Sequence, residues 1–297
     1  MVLLTVTFIL LSSCNLAFAQ SPLTLGLVRN DHLGDGIDTD KEIKQTHVRL
    51  FDYIASKLGN FALKVVIVDN TTAIVDLLKN QKVDLYLGSP LISALVDNKS
   101  QATPLLTMWL ADDSHYHSMI VTRKDSPVIY HLYDLKGGKT FGFSDPESNI
   151  GYLLPKSYLM ENGIKFSPPS SPADMFYIFT GGENKTLAKI LNRTIDAGAI
   201  SSQLFDSLPS SLSSKLKVVG KSIDIPISII SHRSDMDPGL VDRIISIINN
   251  MKTDPQADTI FKKLSKEIEL KTIDAKLSEN LTGMVAKAIN GTESSYL

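Results

Sequence analysis

Cysteine is almost missing from this chain. Its 297 residues contain one, Cys14, close to the start. Cleavage after residue 19 would leave no cysteine at all, which excludes disulfides, thiolate catalysis and cysteine metal sites. A charge of one sign is missing too: the formal net charge is −2, without the basic domain or stripe that marks nucleic-acid binding. Three catalytic or nucleotide motifs are absent: Gly-x-Ser-x-Gly, His-Glu-x-x-His, and a phosphate loop ending in Gly-Lys-Ser/Thr. There is no internal repeat and no low-complexity tract. What remains is ordinary for a globular protein, 43% apolar and 21% charged, and long enough for one or two domains with a large core.

The first 19 residues differ from the rest. Val2 to Leu11 is almost continuously apolar, and Ala17-Phe18-Ala19 places small residues where a signal peptidase cleaves. The run is short for a membrane-spanning helix of about 20 residues. The basic residues usual at the head of such a signal are missing, since the first Lys or Arg is Arg29. Leu11-Ser12-Ser13-Cys14 also resembles a lipobox, so two cleavages compete. One comes before Cys14, giving a lipid-anchored protein; the other comes after Ala19, giving a free periplasmic or secreted one. Six Asn-x-Ser/Thr sequons, at Asn70, Asn98, Asn184, Asn192, Asn280 and Asn290, fit either glycosylation in a secretory pathway or an Asn- and Ser-rich bacterial composition.

From residue 22 onward, short β-branched runs alternate with helical spacing. Thr24 to Val28 predicts a strand, and Val48, Phe51, Ile54, Ala55 and Leu58 a helix ended by Gly59. Leu63 to Val68 predicts a strand. A helix capped by Thr71 or Thr72 follows, then a strand over Val83 to Leu87. This is the signature of βαβ units and a mostly parallel sheet. The alternation breaks at Leu105–Leu110 and Tyr116–Thr122, two extended segments with no helix between. A second α/β region runs from Leu135 to about Val219, and Ile225 to Ser231 is extended again. Two helices follow, marked by Leu240, Ile244 and Ile248 and by Ile260, Phe261 and Leu264. The polar tail from Ser278 is expected to be peripheral. A chain that crosses twice between two lobes gives this order: residues 22–110 and 228–297 in one lobe, 111–227 in the other, with hinges near Leu110–Ser118 and Ser222–Ser228.

The most informative stretch is Phe143-Ser-Asp-Pro-Glu-Ser-Asn-Ile-Gly-Tyr-Leu-Leu-Pro155. An apolar strand over Thr140–Phe143 ends in small polar residues that open a helix. The first turn of a helix has N–H groups without internal partners and the positive end of its dipole. Ser144, Ser148, Asn149 and Gly151 there could hold an anion by backbone and side chain together; the plainer reading is that Ser148 or Asn149 caps the helix.

Ser144 to Pro155 resembles the Gly-Asp-Pro-x-Ser-Thr-Ser-Gly-x-Leu-x-Pro signature of the phosphate/phosphite/phosphonate-binding proteins of ABC importers. Met119 to Pro127, Asp134 to Gly137, Val83 to Ser89, Gly181 to Ala188 and Ile195 to Ile200 are similar to that family's flanking segments, in the same order. The resemblance runs from Leu23 to about Lys263. It implies a two-lobed type II periplasmic-binding fold, α/β with mixed, mostly parallel sheets, and a ligand in the cleft between lobes. It also implies an ABC permease as partner, and capture of a small oxyanion without turnover and without a cofactor.

By the same resemblance Ser89, Tyr116 and Glu183 would face the ligand. From the residues alone, Ser89 reads equally as a cap before Pro90, and Tyr116 equally as packing. The chain departs from the pattern at four places. Asn149 stands for a threonine and Ile150 for a serine, Gly182 takes the place of a histidine, and Asp224 lies one residue from an expected acid. Arg29 could face the cleft or water. His115 and His117, with Asp112 or Asp113, are a metal arrangement less favoured than simple hydrogen bonding. Two other roles stay open on sequence: the same fold as a ligand-sensing receptor module, or a secreted enzyme.

Overall fold

The computed structural model describes residues 22–28, 39–59, 61–110, 116–146, 148–168, 174–257, 260, 268–273 and 275–289. The alternation of strands and helices follows the hydrophobic pattern. β1 (Leu23–Val28), β2 (Leu63–Val68), β3 (Leu85–Gly88) and β4 (Thr103–Leu110) are interleaved with α1 (Thr39–Lys57), α2 (Thr71–Lys79) and α3 (Pro90–Ser100). The chain then changes sheets. β5 (Ser118–Arg123), β6 (Lys139–Phe143), β7 (Phe166–Ser167), β8 (Met175–Phe179), β9 (Ala197–Ser201) and β10 (Leu216–Lys221) form the second sheet, with α4 (Leu154–Glu161), α5 (Glu183–Leu191), α6 (Ser202–Ser207) and α7 (Ser210–Ser213). Finally β11 (Ser228–His232), α8 (Pro238–Asn250), β12 (Ile268–Thr272) and α9 (Ala275–Ile289) return to the first.

The sheet orders are β12-β4-β11-β3-β1-β2 and β10-β5-β9-β6-β8-β7. In each, a parallel core (β2-β1-β3, and β9-β6-β8-β7) carries antiparallel strands at the crossover side. Short connections lead from the C-terminal ends of β3, β6, β8 and β9 straight into helical turns. This brings four helix N-termini to one region, the usual ligand site of open α/β sheets.

The described ends of the two crossovers are bonded to each other. Ile225 N–H donates to Tyr116 O at 2.9 Å and Ser222 N–H to Ser118 O at 3.0 Å. Across the same pair of segments, His117 Nδ1 lies 2.8 Å from Asp224 Oδ1. The acidic side chain beside Ile225 therefore serves the crossover.

Two expectations need correction. The cap of α2 is Asn70, whose Oδ1 accepts from Ala73 N–H at 2.9 Å, and Thr71 is already helical. From an extended backbone, the asparagine carboxamide reaches the N3 amide, so it takes the role ahead of the two threonines. The tail from Ser278 is not peripheral. It belongs to α9, whose Leu281 and Met284 are buried in one apolar cluster with Leu91 and Leu95 of α3 and Leu154 of α4. Its polar residues hid an apolar stripe at helical spacing, Leu277, Leu281 and Met284. The helix expected around Phe261 and Leu264 and the residues before Pro22 lie outside the described residues, as does Arg29.

Candidate functional site

The turn after β6 is built around Gly151. Ser144 N–H donates to Gly151 O at 3.0 Å, closing the loop on itself. Ser148 caps the following turn, its Oγ accepting from Gly151 N–H at 2.8 Å. That turn, Asn149–Leu153, is wide: Leu153 N–H bonds Ser148 O at 2.9 Å, five residues back, before α4 begins. π turns of this kind recur at functional sites, because the extra residue re-aims side chains. Ser144 Oγ is stacked against Gly151 so closely that a Cβ on residue 151 would fall 1.5 Å from it. Only glycine fits.

Ser144 and Ser148 are both buried. Ser144 Oγ has no hydrogen-bond partner among the described residues. A buried hydroxyl without a partner costs free energy, so native structures seldom leave one unless something else fills the role. Beside it, Ser144 O accepts from the N–H groups of Gly181 (2.6 Å) and Gly182 (3.2 Å), which ties the β6 turn to the start of α5. Gly182 has φ 133°, in the left-handed half of the map that disfavours a side chain. The backbone course thus accounts for glycine where the resemblance leads one to expect histidine.

Asn149 points elsewhere. Its Oδ1 accepts from Leu91 N–H at 2.9 Å and its Nδ2 donates to Ser89 Oγ at 2.6 Å. Ser89 occupies the cap position of α3 yet makes no capping bond with its own side chain. The cap comes from Asn149, on the other sheet's side. Ile150 is fully buried in the cluster that also holds Leu91, Leu95, Tyr116 and Leu154. Tyr116, 3% exposed, is a packing residue of that cluster. Glu183, the first residue of α5, accepts from Ser201 N–H at 2.6 Å and Ser201 Oγ at 2.9 Å, and Ser201 in turn caps α6.

Ser144, Ser148 and Gly151 are therefore one locus, Asn149 and Ser89 join it to the start of α3 on the other sheet, Tyr116 packs behind, and Glu183 stands on the neighbouring helix start. Sequence reading missed three participants. Leu91 contributes a backbone amide, which no side-chain pattern reveals. Ser201 is one of many serines and gains meaning only through Glu183. Lys156 reads as a surface lysine but is 2% exposed, its Nζ donating to Tyr152 Oη at 3.2 Å and lying 5.1 Å from that ring's centre. Burial pulls its ammonium down to about 8 and pushes the Tyr152 phenol up to about 12. Of the metal arrangement considered, only His117 is described, bonded to Asp224; among the described residues no three His, Cys, Asp or Glu side chains gather as a metal set.

Comparison with known proteins gives a consistent result. The family model for the phosphonate periplasmic substrate-binding protein of ABC transporters matches residues 38–276. A phosphonates-binding periplasmic protein of Escherichia coli (strain K12) is 24% identical over 263 residues, 86% of this chain and 73% of that protein. The solved structure of XAC2383 from Xanthomonas citri bound to ATP superposes with a TM-score of 0.75 at 22% identity, over 92% of this chain and 100% of that one. PhnD1 from Prochlorococcus marinus (MIT 9301), in complex with methylphosphonate, gives a TM-score of 0.60 at 17% identity over 92% and 99%. The fold is that of type II periplasmic binding proteins, two mixed α/β sheets with helices, as the resemblance implied; the sheets are not mostly parallel, because the returning strands β4, β5, β10, β11 and β12 pair antiparallel.

Proposed function

The chain belongs to the periplasmic substrate-binding proteins of phosphonate ABC transporters, and from that premise we propose that it captures a small phosphonate- or phosphate-like oxyanion and passes it, unconverted, to an ABC permease. The observation that carries the ligand class is the Ser144 hydroxyl, buried over Gly151 with no partner among the described residues, next to Ser148 at the start of a helix. A hydroxyl and the first N–H groups of a helix are donors, and the dipole there favours negative charge. In this reading Ser144, Ser148 and the amides around Gly151 hold the oxyanion, Glu183 accepts from a protonated oxygen or an amine on the ligand, and residues 22–110 with 228–297 close on 111–227.

Calorimetric titration with methylphosphonate, phosphite and phosphate tests the class. Ser148→Ala removes a hydrogen bond to a charged group, and an affinity loss of roughly 10- to 150-fold is expected for the ligand that binds. Its capping role alone would lower stability by about 1 kcal/mol with affinity unchanged. Melting and titration of the same variant separate the two. Failure of all three anions to bind the parent overturns the ligand class.

Export is the second element of this reading. The mature protein is expected to begin at Cys14, lipidated, or at Gln20. N-terminal sequencing from the native host decides between anchor and free protein, and an intact Met1 on a cytoplasmic protein removes the export reading.

A further inference from the structure

Both residues at which the signature loop departs most from its pattern, Asn149 and Ile150, turn away from Ser144 and contact the first lobe. Asn149 is 2% exposed and Ile150 fully buried. The carboxamide of Asn149 makes two buried bonds to the entry of α3, at Leu91 N–H and Ser89 Oγ. Its oxygen thus takes the place at the α3 N-terminus where an anion's oxygen would sit. Ile150 is buried in one apolar cluster with Leu91 and Leu95 of the same helix. The protein therefore supplies, from its own second lobe, a cross-cleft contact that a ligand would otherwise have to make.

We infer that Asn149, with Ile150 beside it, is a latch that holds the two lobes together in the absence of ligand. The residue acts by positioning α3 against the second lobe, and the oxyanion is left to Ser144, Ser148 and the surrounding amides. An amide is suited to this use. It is uncharged, so its burial carries no ion-desolvation penalty, and it offers an acceptor to Leu91 and a donor to Ser89 at once. The energetic consequence is a shifted equilibrium: two buried hydrogen bonds and an apolar contact favour the closed form before any ligand arrives.

The test uses ligand-free protein, so it stands or falls apart from the identity of the oxyanion. Small-angle scattering of the parent should give a radius of gyration close to the roughly 19 Å of a compact chain of this length. Asn149→Ala should give a larger radius and speed amide hydrogen exchange at Leu91 by about tenfold, the worth of one hydrogen bond, while later amides of α3 keep their protection. Asn149→Asp retains an acceptor facing the Leu91 N–H and should keep that amide protected. An open, extended parent without ligand overturns the inference directly and needs no variant. So does an Asn149→Ala protein whose radius and Leu91 exchange match the parent's.

Discussion

Replacing Asp97 by Asn should make the protein more stable at pH 8 and less stable at pH 4. Asp97 lies on α3 and is 8% exposed. One carboxyl oxygen accepts from Ser231 Oγ at 2.8 Å; the other is buried without a partner among the described residues. A cavity of about 380 Å³ lies alongside, and its other lining residues, which include Asn98, Gln101 and Thr282, carry no charge. Burial therefore pushes the carboxyl up to about 7 from its ordinary 3.8. Between those two values the folded protein holds a proton that the unfolded chain has lost. Stability from this group is thus fully present below about pH 4 and falls as pH rises to 7, by about 4 kcal/mol at most across that interval. Asparagine cannot ionise, but its amide leaves a buried donor unpaired at about 1–3 kcal/mol. The net gain at pH 8 is about 1–3 kcal/mol, a few degrees of melting temperature. Near pH 4 and below, the carboxyl is neutral in both the folded and the unfolded parent, its stability is intact, and the order of the two proteins reverses. Thermal melts of both across pH 4 to 8 that run parallel would show that burial does not shift Asp97.

The second large effect is expected at Gly151. A methyl there would lie 1.5 Å from Ser144 Oγ, 2.6 Å from Ser144 Cβ and 2.9 Å from Ser148 Oγ. None of these is the loose end of a long side chain. Ser144 is 1% exposed and held at both its N–H and its carbonyl, so the turn must move as a whole. Overpacking of this kind typically costs about 1–3 kcal/mol of stability. The cost to binding should be larger, because the hydroxyl, the cap and the amide of residue 151 shift together: at least the roughly 10- to 150-fold of a lost charged hydrogen bond. Ser144→Ala is the companion variant. It removes the hydroxyl without crowding, so it should weaken binding while melting close to the parent. Gly151→Ala binding the native anion as tightly as the parent would show that this turn is not the anion site.

Where the sequence was legible, the reason was local. The strand expected over Thr140–Phe143 is found at Lys139–Phe143, because an apolar run bounded by Gly and Ser has little else to be. Ser148 as a cap followed from its place before an apolar helix. The pairings that define the site are not local. Nothing in the order of residues says that Asn149 meets Leu91 or that Glu183 meets Ser201, since each bond depends on how two βα units are laid side by side. The tail was misjudged for a related reason. Its composition is polar, and its stripe of three apolar residues acquires meaning only when α3 and α4 stand ready to receive it.

That last helix has a kinetic consequence. α9 packs on α3, which follows a strand of the first sheet, and on α4, which follows a strand of the second, far along the chain from either crossover. In the closure proposed above, parting the lobes fully means sliding Leu281 and Met284 off at least one of those helices. The dwell time of a captured anion is then governed partly by greasy contacts that never touch it, so shortening Leu281 should quicken release even while every donor to the anion stays in place.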